Sequence, residues 1–278
     1  MLDEPDAAPG ASGASDAPSS PADAAVQPTD APGGGGGGGP AALLLSEVVL
    51  APSTGELVEI VNTGAGAVDL STYYLSDSGN YFRLPAGAPT VDIGDFIVKF
   101  PAGASIAAHS VITVALDTAA AFTTVYAVAP TYSIASGTMT TITANGVATL
   151  TNTGELISLF RWDGQADLVK DVDLVLAGAA TPANGLVDKS AVALDGPDSG
   201  TSATSYASDA RTLVAQPSTP AAGKSTKRLA TEVGHENQSG GGNGILGDDE
   251  TSENTAATWD SAGFGTPTPG TVPAALLP

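Results

Sequence analysis

From Leu43 to about Val214 the chain repeats one local pattern: short runs of Val, Ile, Leu and Thr, closed by Gly, Asn, Asp or Pro, with few apolar residues at helical spacing. Runs of this length and β-branched content suit strands, so the pattern predicts an all-β body. The candidate strands are Leu44–Leu50, Leu57–Asn62, Tyr73–Leu75, Asp95–Phe100, Ser110–Ala115, Thr138–Ala144, Val147–Thr151, Leu156–Trp162 and Ala166–Leu174. Asn145-Gly146 and Asp163-Gly164 lie between such runs and predict two tight hairpins, because these pairs readily take the positive φ values of a type I′ turn. Short strands with irregular connections fit a sandwich better than a propeller. The echo of Thr54-Gly55-Glu56-Leu57 in Thr153-Gly154-Glu155-Leu156 places a polar turn before a strand twice.

The two ends read differently. Residues 1–40 hold 9 Ala, 9 Gly, 7 Pro and 4 Ser with six acidic residues and no basic one. With Leu2 and Val26 as almost the only sizeable apolar side chains, burial cannot offset ordering entropy, and a disordered tether is expected there. The run Gly33–Gly39 makes it a swivel, and a coil of this length reaches roughly 35 Å. Residues 229–278 carry seven acidic residues and no basic one and read as loop, except that Trp259 and Phe264 are expected to dock on the body. Nine Lys and Arg against 30 Asp and Glu give a net charge of −21, which excludes most nucleic-acid binders. The absence of Cys excludes thiolate chemistry, disulfides and zinc knuckles.

Ser46-Glu47-Val48, then Glu56 to Asn62 with Glu59 between, then Val68-Asp69-Leu70-Ser71-Thr72-Tyr73-Tyr74-Leu75-Ser76-Asp77 resemble the lamin tail domain family in its bacterial form. Phe100-Pro101-Ala102-Gly103, the Gly154-to-Leu159 run with Asp163-Gly164, Ser225-Thr226-Lys227-Arg228, and Trp259 with Thr268-Pro269-Gly270 fit the later motifs. Thr72 and Tyr73 depart from the Gly and Trp usual there, and residues 130–138 and 177–220 look like insertions. The resemblance spans roughly residues 44–270. It implies an immunoglobulin-like β-sandwich of lamin-tail type, whose shared residues are mostly structural and whose bacterial members are surface-associated or secreted. The expected organisation is a tether over 1–40, a sandwich over 41–270 with an insertion around 177–258, and a tail over 271–278.

Candidate chemistry is sparse. Gly223-Lys224-Ser225 ends like a phosphate loop, but Ser218 stands where the first Gly belongs. His235-Glu236 opens like a zincin helix, but Ser239 replaces the second His, and the other His, His109, is far away in sequence. The acidic clusters offer hard oxygens of the kind calcium takes: Asp248-Asp249-Glu250 with Glu253 and Asn254 first, then Asp163 with Asp167, and Asp195 with Asp198. None matches a spaced calcium loop. Glu47, Glu59 and Asn62, polar amid strands, are read as structural, with Glu59 near a sheet edge or bonded to loop backbone. Of the aromatic groups Tyr73, Tyr74, Tyr81, Phe82, Phe160 and Trp162, Tyr74 or Tyr81 is the candidate for an exposed binding platform. No catalytic, cofactor-binding or metal residue is assigned, and calcium is the one ion the composition suits.

An acidic Ala/Gly/Pro/Ser tether running straight into a β body resembles the mature start of a bacterial lipoprotein, with Met1 in place of the lipidated Cys. The expectation is therefore a non-enzymatic module of the cell envelope or the extracellular space. It would engage a protein or polysaccharide, and meet a membrane only through an N-terminal lipid anchor. A calcium-supported hydrolase and a self-assembling surface-layer subunit are the alternatives.

Overall fold

The computed structural model describes residues 43–178, 187–209, 219–233, 235, 241–245, 247–252, 255–260 and 264–278. The expected tether, with its glycine run, lies outside the described residues. Strands in chain order are β1 (Leu43–Val49), β2 (Leu57–Asn62), β3 (Val68–Asp69), β4 (Tyr73–Ser76), β5 (Phe96–Lys99), β6 (Ser105–Ile106), β7 (Ser110–Ala115), β8 (Tyr132–Ser133), β9 (Thr140–Ala144), β10 (Gly154–Arg161), β11 (Lys170–Gly178), β12 (Ala193–Leu194), β13 (Thr204–Ser205) and β14 (Thr226–Lys227). Two five-stranded sheets, ordered β14-β1-β2-β7-β8 and β11-β10-β4-β5-β9, form the body. Pairing within them is antiparallel except between β7 and β8. Two-stranded ribbons β3-β6 and β12-β13 flank them.

The sheets face each other across one apolar core. Leu45, Val48, Val58, Ile60, Ile112 and Val114 from the first meet Leu75, Val98, Ile157, Leu159, Val172 and Val175 from the second. Period-2 alternation sends the intervening residues outward, and those are covered too. Leu57, Val49 and Ala115 pack under Phe122 of α1 (Ala119–Tyr126), and Leu44 and Val61 pack under Leu276. On the outer face of the second sheet, Leu156, Phe160, Leu174 and Leu176 pack with the 3-10 segment Tyr81–Ala86 and with Val187, Leu194 and Tyr206. Two-sided burial explains why β1 reads Leu-Leu-Leu-Ser-Glu-Val-Val and not as a clean alternation.

Several local expectations are corrected. Residues 147–151 form no strand. Asn145-Gly146 turns the chain after β9, which pairs with β5, and the following loop bonds Gly94 through Thr149 N to Gly94 O at 3.2 Å and Gly94 N to Asn145 O at 2.9 Å. Asp163-Gly164 lies inside the β10–β11 hairpin, but as part of a wider loop from Trp162 to Val169, since Arg161 pairs with Lys170. The Asp163 carboxylate accepts the Gln165 and Ala166 amides at 2.8 Å, a local turn that widens the connection. Helix α1 was unexpected: Thr, Val and Tyr depress its propensity, but Thr118 caps it by accepting the Ala121 amide at 3.2 Å, and Phe122 anchors it. Trp259 does dock, 1 % exposed in the core between the sheets, whereas Phe264 stays half-buried outside it. The expected tail instead packs Leu276 on the first sheet.

Candidate functional site

Register places Glu47 opposite Glu59 on the covered outer face of the first sheet. Like charges directly opposite on a ladder repel, and burial sharpens the cost, so donors must converge on them. The closing segment supplies them. Thr268 donates its amide to both Glu47 oxygens at 3.0 and 3.2 Å and its hydroxyl at 3.2 Å, and Gly270 donates its amide to Glu59 Oε2 at 2.7 Å. Ser225 Oγ bonds Glu47 Oε1 at 2.5 Å, Ser46 Oγ bonds Glu59 Oε1 at 3.1 Å, and Lys227, opposite Glu47 on β14, brings Nζ within 3.4 Å of Glu47. Burial, with the Glu47 charge adding, pushes Glu59 up to about 7 against the pull of the Gly270 amide. Asn62, at the end of β2, donates to the carbonyls of Gly66, Ile106 and Ala107 and accepts the Gly64 amide. These polar strand residues hold loops and the closing segment onto the sheet.

The other buried charges fasten the late chain to β11. Arg228 donates from one terminal nitrogen to both Asp173 oxygens at 2.6 Å and from Nε to Leu45 O at 2.8 Å, lies 2.8 Å from Glu232, and stacks 5.0 Å from the Trp259 ring. Carboxylate oxygens of Asp173, Glu232 and Glu250 lie within 4.8 Å of one another, and burial followed by the Asp173 charge pushes Glu232 well up. Lys189, wholly buried, pairs with Asp171 at 2.8 Å and Asp209 at 3.5 Å, while the Tyr81 hydroxyl donates to Asp171 at 2.7 Å. Fully buried charges need such partners.

Against this frame the acidic group headed by Asp248 divides. Asp248 accepts the Gly244 amide through its carbonyl, Asp249 accepts from Thr251 and adds its charge to the Lys189–Asp209 pair, and Glu250 joins Asp173 and Glu232. Glu253 and Asn254 lie outside the described residues. Asp167, Asp195 and Asp198, from two separate sequence clusters, do come together, with oxygens within 4.8 Å, while Asp163 turns to its own loop. Ser225 of the phosphate-loop echo is buried against Glu47 and β14 follows it, so no strand-to-helix cradle exists there. His235 and His109 are each half-buried, and Glu236 and Ser239 lie outside the described residues. The exposed platform expected at Tyr74 or Tyr81 is overturned. They are 2 % and 0 % exposed, stacked on Phe160 at 5.1 and 5.0 Å, because the 187–206 segment covers this face of the sheet.

Two open surfaces stand out among the described residues. The first is β9, the outer strand of the second sheet, which reads Thr-Thr-Ile-Thr-Ala and is exposed or half-exposed along its length. Beyond it the Gly94–Asn145 bonds bring together two loops that expose Ile93 (89 %) and Val147 (75 %). The second is a groove of about 440 Å³ lined by Asn80, Arg83, Ala86 to Thr90, and Leu194 of β12. Arg83 stacks 5.1 Å from the Phe82 ring and, among the described residues, forms no ion pair. Neither surface was legible in the sequence as a site: one is an edge set by strand order, the other joins residues far apart in the chain.

The sequence profile described as Lamin Tail Domain matches residues 39–179, just over half of the chain. No curated protein matches it. Among solved structures, a DUF4876 family protein from Bacteroides thetaiotaomicron VPI-5482 is similar, with 13 % identity over 86 % of this chain and 74 % of that one and a TM-score of 0.42.

Proposed function

This chain belongs to the lamin tail domain family, and from that premise we propose that it is a non-enzymatic module of the bacterial cell envelope or extracellular space that engages a protein or polysaccharide. The observation that carries this reading is the open edge of the second sheet. Strand β9 has no Pro and no charged side chain, two of the devices by which sheet edges are blunted, and its one irregularity is a register shift where Ile97 and Val98 of β5 pair with Thr143 and Thr141. An edge of this kind accepts an added strand through its backbone groups, and Ile93 and Val147 at its end offer apolar contacts to the same segment. The acidic ends favour basic or cation-bridged partners there, and the net charge of −21 disfavours self-association. The acidic Ala/Gly/Pro/Ser stretch ahead of the body supports a tethered setting at the cell surface.

The test is a binding screen of the whole chain against extracellular polysaccharides and basic extended peptides, read by hydrogen exchange at Thr140 to Ala144. Slowed exchange on binding, lost in Thr141→Pro, is the expected result. Turnover on a panel of glycan and ester substrates that disappears on substituting a single acidic residue of the 177–258 region would replace this reading with the hydrolase. Concentration-dependent assembly in size-exclusion chromatography would replace it with the surface-layer subunit.

A further inference from the structure

We infer that the groove at Arg83 is a subsite for the carboxylate of an acidic sugar, a uronic-acid unit of a polysaccharide; the inference rests on the binding reading above and narrows one of its two partner classes. The chain has 9 basic and 30 acidic residues, so its cations have carboxylates in excess, and Lys189, Lys227 and Arg228 each take one or more. Arg83 does not. It is exposed, its guanidinium lies over the Phe82 ring at 5.1 Å, and among the described residues no carboxylate pairs with it. Phe82 is itself fixed, 4 % exposed and edge-on to Tyr206 at 5.7 Å, so the cation is positioned by a rigid aromatic base while its donors are left for a ligand. A planar guanidinium fork matches a carboxylate through two parallel N–H bonds.

The rest of the groove suits a sugar ring. Asn80, whose side-chain amide reaches the Thr90 carbonyl at 3.5 Å, borders the same groove, and Ala86, Ala88, Pro89 and Leu194 give it an apolar lining for C–H faces. Its volume of about 440 Å³ is within the usual range for small-ligand pockets. Arg83 and Ala86 come from the Tyr81–Ala86 segment before β5, and Leu194 from β12, beyond the part of the chain that matches the family profile. The subsite is thus assembled by this chain's own later segment against a shared sheet. The overall charge of −21 opposes a long polyanion, so a short oligomer or a chain end is the expected occupant.

The experiment titrates the whole chain with trigalacturonic acid and with its methyl ester, which keeps the rings and removes the charge, by calorimetry and by following the Arg83 Nε–H signal in nuclear magnetic resonance. The acid is expected to bind and to move that signal, with the ester weaker by about tenfold or more, as is usual when a charged hydrogen bond is lost. Arg83→Gln and Arg83→Lys are each expected to weaken the acid to the level of the ester, and Ala88→Trp, which fills the groove without touching its charge, to abolish binding while the circular dichroism of the fold is unchanged. Equal binding of acid and ester, or an unaltered affinity in Arg83→Gln, overturns the inference. Retained binding of neutral glycans without trigalacturonate would overturn this subsite and leave the broader reading standing. Failure of every glycan and peptide probe would overturn both.

Discussion

Glu47 and Glu59 lie side by side on adjacent strands and both hold the closing segment. Glu47 receives three donors from Thr268 and Ser225 and a nearby Lys227, and its charge is spread over all of them. Glu47→Ala would leave those donors buried without an acceptor, and the expected loss is about 2–4 kcal/mol in urea unfolding, with faster hydrogen exchange at Thr268 and Gly270. Glu59 is already half-protonated near neutrality, so Glu59→Gln should cost under about 1 kcal/mol there. Arg228 is the stricter case. Arg228→Met leaves Asp173 buried without its cation and should cost about 3–5 kcal/mol, and adding Asp173→Asn should restore part of it. The sequence marks Glu47 and Glu59 as polar residues among apolar ones and places them and Arg228 in the motifs of the resemblance, but it does not name their partners. Their partners are 178 to 221 residues away for Glu47 and 55 for the Arg228–Asp173 pair, distances over which no spacing rule operates.

Length alone did not make an element legible: the nine-residue β11 runs Lys170–Gly178 where Ala166–Leu174 was expected. Leu57–Asn62 and Ser110–Ala115 coincide with expectation, because six-residue apolar alternations bounded by turn residues have few competing readings. The two-residue strands β3, β6, β8, β12, β13 and β14 carry no period to read: β8 and β14 pair with the longer β7 and β1, and β3 with β6 and β12 with β13 pair with one another. Strand β9 shows the limit of turn signals: Asn145-Gly146 does reverse the chain, with Gly146 at φ +91°, but the pairing partner is β5 and not the segment that follows. In α1 the C-terminal cap Ala127 holds a left-handed conformation, φ 59° and ψ 15°. Ala127→Gly relieves that strain, and a gain of about 0.5–1 kcal/mol in thermal or urea unfolding is expected.

The whole molecule stores protons. Burial above all pushes Glu56, Glu59 and Glu155 up to about 7 from the usual 4.5, and Asp77 up to about 9 from 3.8. The Glu155 charge adds to the rise at Glu56, its counterpart in the Thr-Gly-Glu-Leu echo. In the unfolded chain these groups release their protons near pH 4 to 4.5, about the ordinary carboxylate range. Between that range and about pH 7, and to about pH 9 for Asp77, the folded chain therefore holds more protons than the unfolded one, and stability falls as pH rises. Release of the −21 self-repulsion on acidification works in the same direction. Thermal melting at constant ionic strength is expected to give its highest midpoint near about pH 5 and a decline towards pH 9, with the slope between pH 5 and 7 reduced in Glu59→Gln. A midpoint that climbs from pH 5 to 8 would contradict this burial of carboxylates. By itself the amino-acid order determined that the body is β, where its long strands run, which family it belongs to and how its charge is distributed, because each of these follows from composition or from periods within one segment. Only the tertiary structure decided that the second sheet is roofed on its outer face, that Tyr74 and Tyr81 are core, that β9 is an open edge and that Arg83 borders a groove, because each depends on which distant segment fills the space beside a residue.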